Sequence, residues 1–318
     1  MTDQLKKYLT EDRSVRIQAV HLGATWKAVQ ANHDYPPAIT NLLGELVAAS
    51  TLLAANIKFD GSLVLQIQGD GPIALLVVEC RHDLSLRATV KMREGHEVPT
   101  DGNMQSLLNP GGNGRFIVVL DPQRKLPGQQ AYQGIVPLEG DTVAEALQHY
   151  MKASEQLDTR LWLAADGDHA AGMLIQRLPY HGGSEAPVLT KQDAAETWDR
   201  TCALAGTLQR DELLATEIDT LIHRLFWEET LMAFDPLDVR WHCPCTRERV
   251  ATCCARWARK KSRTSSPSAA KWTCPATSAA SLTSSTPSTA PPCSRRTSLP
   301  PETRRPPSTD VGGGRPAA

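Results

Sequence analysis

A change of composition after residue 250 limits this 318-residue chain more than any motif in it. From Ala251 to Ala318 there is no Ile, Phe or Met, and the only aliphatic residues larger than Ala are Leu282, Leu299 and Val311. Twenty-two of these 68 residues are Ser or Thr and ten are Pro. Such a segment cannot bury enough apolar surface to offset the entropy lost on ordering, so residues 251–318 are expected to be a disordered tail. Charge divides at the same place. The tail carries 11 Lys and Arg against 2 Asp and Glu, and the remainder carries 23 against 33. A core must therefore be sought in residues 1–250, a length that suits one or two domains.

Periodicity supplies the elements of that part. Residues 15–20 alternate apolar and polar and predict a strand, and residues 25–29 predict another after the Gly23 break. Pro36-Pro37 opens a helix over residues 37–56, in which Leu42, Leu43, Leu46, Val47 and Leu53 recur at helical spacing. Residues 62–68 and 73–79 alternate on either side of the turn Gly69-Asp70-Gly71-Pro72, and 85–91 continue the meander. After the Gly111-Gly112-Asn113-Gly114 loop, strands are expected at 115–120, 131–137, 161–165 and 171–177. A helix is expected at 142–154 with Asp141 as its N-cap. Residues 1–180 thus read as an α/β domain, more strictly α+β, with sheets rich in antiparallel pairs. Gly182-Gly183-Ser184 begins a helical linker, 181–236, with helices at 193–208 and 212–227. Leu213, Ile218, Leu221, Ile222 and Leu225 form an apolar face on the second. Residues 237–250 lead through a thiol motif into the tail.

The first residues are polar and lack an apolar leader core, and no stretch approaches the roughly 20 apolar residues that span a bilayer. A cytoplasmic protein with no membrane partner is expected, and there clustered cysteines favour metal or redox chemistry over structural disulfides. Cys243-Pro244-Cys245 is the strongest chemical feature, since two adjacent thiolates bind a soft cation such as zinc or copper(I). Further ligands for a tetrahedral site would come from His242, Cys253, Cys254, Cys274 or Cys293, none of which forms a C-x-x-C. Cys80, ending an apolar run, and Cys202, on a helix, read as small buried hydrophobes. The Gly111–Gly114 loop lacks the Lys and Ser/Thr of a phosphate loop, and His82-Asp83 has no nucleophile placed beside it. The basic run Arg259-Lys260-Lys261 with Arg263 would attract phosphate, but only Trp257 and Trp272 offer stacking surface, so nucleic-acid binding by the tail ranks as the alternative. An enzyme is not expected, because no nucleophile–base pair or cofactor loop is found.

Several ungapped blocks carry a family resemblance. They are Pro36-Pro37-Ala38 with the run from Leu42 to Cys80, Tyr132-Gln133-Gly134-Ile135-Val136, and Ser154-Glu155-Gln156-Leu157 with Thr159-Arg160. Gln176-Arg177-Leu178-Pro179 and the segment from Phe234 to Val250 complete the set. Over residues 1–250 the chain resembles the 33-kDa redox-regulated heat-shock chaperonins. The resemblance implies a holdase that binds unfolding proteins under oxidative stress, and a homodimer in its oxidised state. It also implies a C-terminal zinc unit of four thiolates, C-x-C then C-x-x-C. Oxidants convert these to two disulfides, the metal leaves, and the small unit melts because zinc binding is its folding energy. Cys243 and Cys245 match the first pair, as zinc ligands and as redox-disulfide residues.

The resemblance stops after Val250. With GC-rich codon choices, the tail read in a shifted frame permits DMLRTLGEEEVEDILAERGKVDVPCDFCG, an acidic amphipathic helix followed by C-x-x-C. The recovered cysteines fall at the Pro275/Ala276 and Ser278/Ala279 junctions, and Ser284 to Ser294 permit FDAVDGAALF. The expectation is a shifted reading frame, a defective zinc switch, and zinc weakly bound or absent in this chain. The tail cysteines would then be accidental.

Overall fold

The structure, a computed structural model, describes residues 2–31, 33–124, 131–179, 190–243, 248 and 251–252. The Gly182 linker, Cys245, the basic run and every tail cysteine lie outside the described residues. The chain forms two compact units, Met1–Pro244 and Cys245–Ala318. In the second, the Thr252 hydroxyl donates to the Glu248 carbonyl at 2.8 Å, one helical turn away.

The first unit is an α+β structure with two sheets and, among the described residues, seven helices. It begins with β1 (Gln4–Thr10), β2 (Val15–Leu22), α1 (Ala24–Gln30) and α2 (Pro37–Ala54). The meander β3 (Gly61–Gln68), β4 (Ile73–Arg81) and β5 (Ser85–Met92) follows, then α3 (Met104–Leu108), β6 (Arg115–Pro122) and β7 (Tyr132–Pro137). Next come α4 (Val143–Ala153), β8 (Thr159–Ala165), β9 (Ala170–Arg177), α5 (Lys191–Ala205), α6 (Arg210–Ala215) and α7 (Ile218–Phe226). Three short strands end the unit: β10 (Leu231–Ala233), β11 (Leu237–Asp238) and β12 (Arg240–Trp241).

The first sheet runs β10-β1-β2-β9-β8, with β11 also on β1, and the second runs β12-β5-β4-β3-β6-β7. Helix α2 lies between them. Among the described residues it alone is long and apolar enough to cross a membrane, but it is mostly buried in this core. Small residues allow it to lie close to the first sheet. A Cβ on Gly44 would stand 2.4 Å from Ala165 Cβ, and one on Gly172 would meet Leu163 and Leu52.

Period 2 in the first sheet sends alternate side chains to opposite faces. Val20, Leu22, Ala170 and Leu174 join the core around α2. Val15, Ile17, Ala19, Met173 and Ile175 form a second apolar layer with Leu208, Leu213, Leu214, Ile218, Leu221, Ile222, Leu225 and Phe226. Both faces of this sheet are therefore covered, one by α2 and the other by α5 to α7.

Three expectations are corrected. Residues 25–29 form α1 rather than a strand, because the Asp3 carboxylate accepts from Gly23 N at 2.6 Å, Ala24 N at 3.2 Å and Thr25 N. It thereby serves as a remote cap for three otherwise unpaired donors. The N-cap of α4 is Thr142, whose hydroxyl accepts from Glu145 N, while Asp141 N donates to the Glu145 carboxylate. Residues 212–227 are two helices, not one. Thr216 and Glu217 are extended, and the Leu214 carbonyl, which Ile218 N would occupy in a continuous helix, accepts from His21 Nε2 at 2.9 Å.

Candidate functional site

The candidate site consists of the thiol motif and the helical layer over the first sheet. Cys243 is half-buried at the end of a segment that follows α7 without a domain break. Residues 231–242 bind both sheets. Phe234 N donates to Lys7 O at 3.0 Å and Val239 N to Asp3 O at 2.9 Å. Arg240 N donates to Leu84 O at 3.3 Å and His242 N to Leu86 O at 2.9 Å, and Thr25 Oγ1 donates to Val239 O at 3.1 Å. Val239 is the only buried side chain of this run, and Arg240 pairs with Asp83. Sequence reasoning found the two thiols but not this stitching, because strands of two or three residues carry no readable alternation.

Zinc held structurally takes four ligands. Of the candidate ligands only His242 and Cys243 fall within the described residues, and among those residues no group of three or more His, Cys, Asp or Glu side chains is placed to hold an ion. The described residues do not by themselves fit a closed zinc site. The other candidates resolve as structural. Burial pushes the Cys80 thiol far up, and it pushes Cys202 up to about 11, so both remain protonated at neutral pH and poorly reactive. His82 faces Asp60 at 3.4 Å, while Asp83 accepts from Ser85 and Arg240, so the two do not act together. Asp70 ties the two glycine turns by accepting from Gly111 N at 3.2 Å and Asn113 N at 3.0 Å.

The helical layer is held by apolar contact and a few polar ties. A capping box joins Thr190 and Asp193 at the start of α5. Arg210 of α6 reaches Glu45 of α2 at 3.0 Å and donates to Ala165 O. Asp219, in the first turn of α7, accepts from Lys6 at 2.6 Å and Tyr8 at 3.1 Å. Arg200 of α5 pairs with Glu229 at 2.6 Å. Burial raises the Glu45 carboxyl, with Arg210 opposing the shift.

An apolar sheet face thus lies under a helical cover with polar ties, and the same unit ends near Cys243. Comparison with known proteins gives the family. The sequence profile described as "Hsp33 protein" matches residues 3–261. The 33 kDa chaperonin of Methylobacillus flagellatus is 45% identical over 251 residues, 79% of this chain and 80% of that protein. That of Chromobacterium violaceum is 44% identical over 250 residues, 78% of this chain and 79% of that protein. The crystal structure of the 33 kDa chaperonin of Thermotoga maritima superposes with a TM-score of 0.66 at 19% identity, covering 82% of this chain and 87% of that one. The chain belongs to the Hsp33 family of redox-regulated chaperones.

Proposed function

We propose that this chain holds unfolding proteins in the cytoplasm through the first sheet's outer face, with a redox switch that has lost half of its metal site. The observation that carries this reading is the second apolar layer. Leu221, Leu225 and Phe226 of a short helix join Ile17, Met173 and Ile175 in one apolar layer, and the chain reaches Cys243 after three short strands. Lifting such a cover exposes contiguous apolar surface, which is what binds a partly unfolded partner.

Cys243 and Cys245 are the proposed remnant of the thiolate site, and the frame shift after Val250 is the proposed cause of its loss. In support, about a fifth of this chain and about a fifth of the Methylobacillus relative lie outside their match. The two unmatched parts are of similar size, as a frame shift would leave them. A chain that keeps two thiols without two zinc partners should bind zinc weakly and respond little to oxidant. A homodimer of the oxidised chain belongs to the same proposal.

The test is suppression of aggregation of a thermally unfolding client, with reduced and peroxide-treated protein, beside zinc content of the reduced sample. Suppression that differs little between the two states, with well under one zinc per chain, is expected. A large oxidant-dependent gain with stoichiometric zinc would refute the defective switch. Resequencing across the Val250 codon distinguishes an inherited shift from an error of reading.

A further inference from the structure

The short strands after α7 occupy a position that the helical cover does not explain. Residues 231–241 lie along an outer edge of each sheet. β10 and β11 pair antiparallel with β1, in the registers Tyr8↔Ala233 and Gln4↔Asp238, and β12 pairs parallel with β5, Arg240 opposite Ser85. Three carbonyls at the two edges, those of Asp3, Lys7 and Leu84, accept from this one segment, and Leu86 O accepts from His242, the residue that follows it.

Side chains anchor the ends and backbone holds the middle: Val239 is buried, Leu231 and Trp241 pack part-buried against the two cores, and Phe234 is 54% and Leu237 37% exposed. Pro236 interrupts the β1 pairing between β10 and β11, and the segment pairs antiparallel on one sheet and parallel on the other. The β1 edge takes this segment antiparallel and the β5 edge takes it parallel, each through main-chain groups that any extended polypeptide carries. Its last paired residue, Trp241, stands two positions before Cys243, so any rearrangement at the thiol motif acts on this segment first.

We propose that residues 231–241 are an internal plug, and that on its release the β1 and β5 edges take up an extended segment of an unfolded polypeptide by main-chain pairing. The proposal rests on the chaperone reading and adds a mode of recognition to it. The helical cover yields an apolar surface. The plug yields rows of hydrogen-bonding groups, which an unfolded chain satisfies whatever its sequence.

The test uses the full chain and a fluorescein-labelled short peptide of alternating Thr and Val, beside the same peptide N-methylated at every residue. Methylation keeps the side chains and removes the donors of both edges. Val239→Asp, which makes the plugged state unfavourable, should bind the unmethylated peptide about tenfold tighter than the unaltered chain, because the competent fraction rises. The methylated peptide should gain nothing. Arg240→Glu, facing Asp83 at the surface, leaves the core intact and should give a gain of about twofold. In the unaltered chain, the peptide should speed amide exchange at Phe234, Val239, Arg240 and His242.

Equal gains for both peptides, unchanged exchange at those amides, or a concentration-dependent dimer that excludes the peptide would each overturn the proposal. Client aggregation measured on the same samples separates the two ideas. Suppression without discrimination between the peptides refutes the plug and leaves the chaperone reading standing. No suppression in either redox state removes both.

Discussion

The first sheet is covered twice, and the two covers differ in kind. On one face α2 is 18 residues long and settles into a surface of Gly and Ala, where Gly44, Ala48, Gly172 and Ala165 remove the side chains that would hold the layers apart. On the other face α5, α6 and α7 are 15, 6 and 9 residues long, and they are held by ion pairs and one histidine as well as by apolar contact. Close packing over small residues has no intermediate opening, because any separation loses most of the dispersion contact at once. Short helices with separate polar ties can leave piecewise, at a local free energy below that of the whole domain. The difference marks which cover is permanent and which can be lifted.

Gly44→Leu should have the largest effect. The new side chain collides with Ala165 and Trp26, so the whole unit should lose about 3 kcal/mol or more in thermal or denaturant unfolding. An unchanged midpoint would show that α2 is as adjustable as the outer layer. Leu221→Ala removes a side chain that is 1% exposed in the outer layer, and about 2–3 kcal/mol should be lost there. Amide exchange should accelerate in α5 to α7 and remain slow in β3 and β6; uniform acceleration would erase the contrast. Arg210→Ala leaves Glu45 without its partner. With Arg210 45% exposed, solvent screening holds the expected loss to about 1–2 kcal/mol, read as faster exchange in α6.

The smallest effect is one of pH. Burial pushes the His21 imidazole below the ordinary histidine value, the hydrogen bond to Leu214 O opposing and the neighbouring His169 adding to the fall. Nε2 donates to Leu214 O, so a second proton must go on Nδ1, which is buried without a partner. The undocked layer then binds more protons than the docked one. Docking is fully supported above the ordinary histidine value of 6.5 and weakens as pH falls from there through the lowered pKa. Protection of α6 amides, measured against their intrinsic exchange rate at each pH, should fall on mild acidification, and His21→Gln should flatten that dependence. An equal acid response in α2 would assign it to the whole domain.

Much of the fold was legible in the sequence wherever burial follows one period. Residues 62–68 and 73–79 alternate and form β3 and β4, and α2 begins at its prolines. Strand β1 was illegible because it is inserted between two cores. Leu5 joins one and Tyr8 the other, so alternation does not separate apolar from polar. The cap of α1 was illegible because Asp3 lies 20 residues from the first amide it receives. The break between α6 and α7 depends on His21, 193 residues before Leu214. At the candidate site the thiol spacing was readable as chemistry. The apolar face of residues 213–225 was readable too, but which surface it covers was not, because periodicity names a face and not its partner.

The pairing of β1 with β10 and β11 has a consequence for the order of synthesis. Gln4 and Asp238, which its side chain reaches, are 234 residues apart, so β1 to β9 are synthesised before the segment that covers their edges. Until that segment emerges, both sheets carry a bare edge while their other strands are already able to assemble. A nascent chaperone thus passes through the exposed condition that its mature form relieves in others, until β10 to β12 are made.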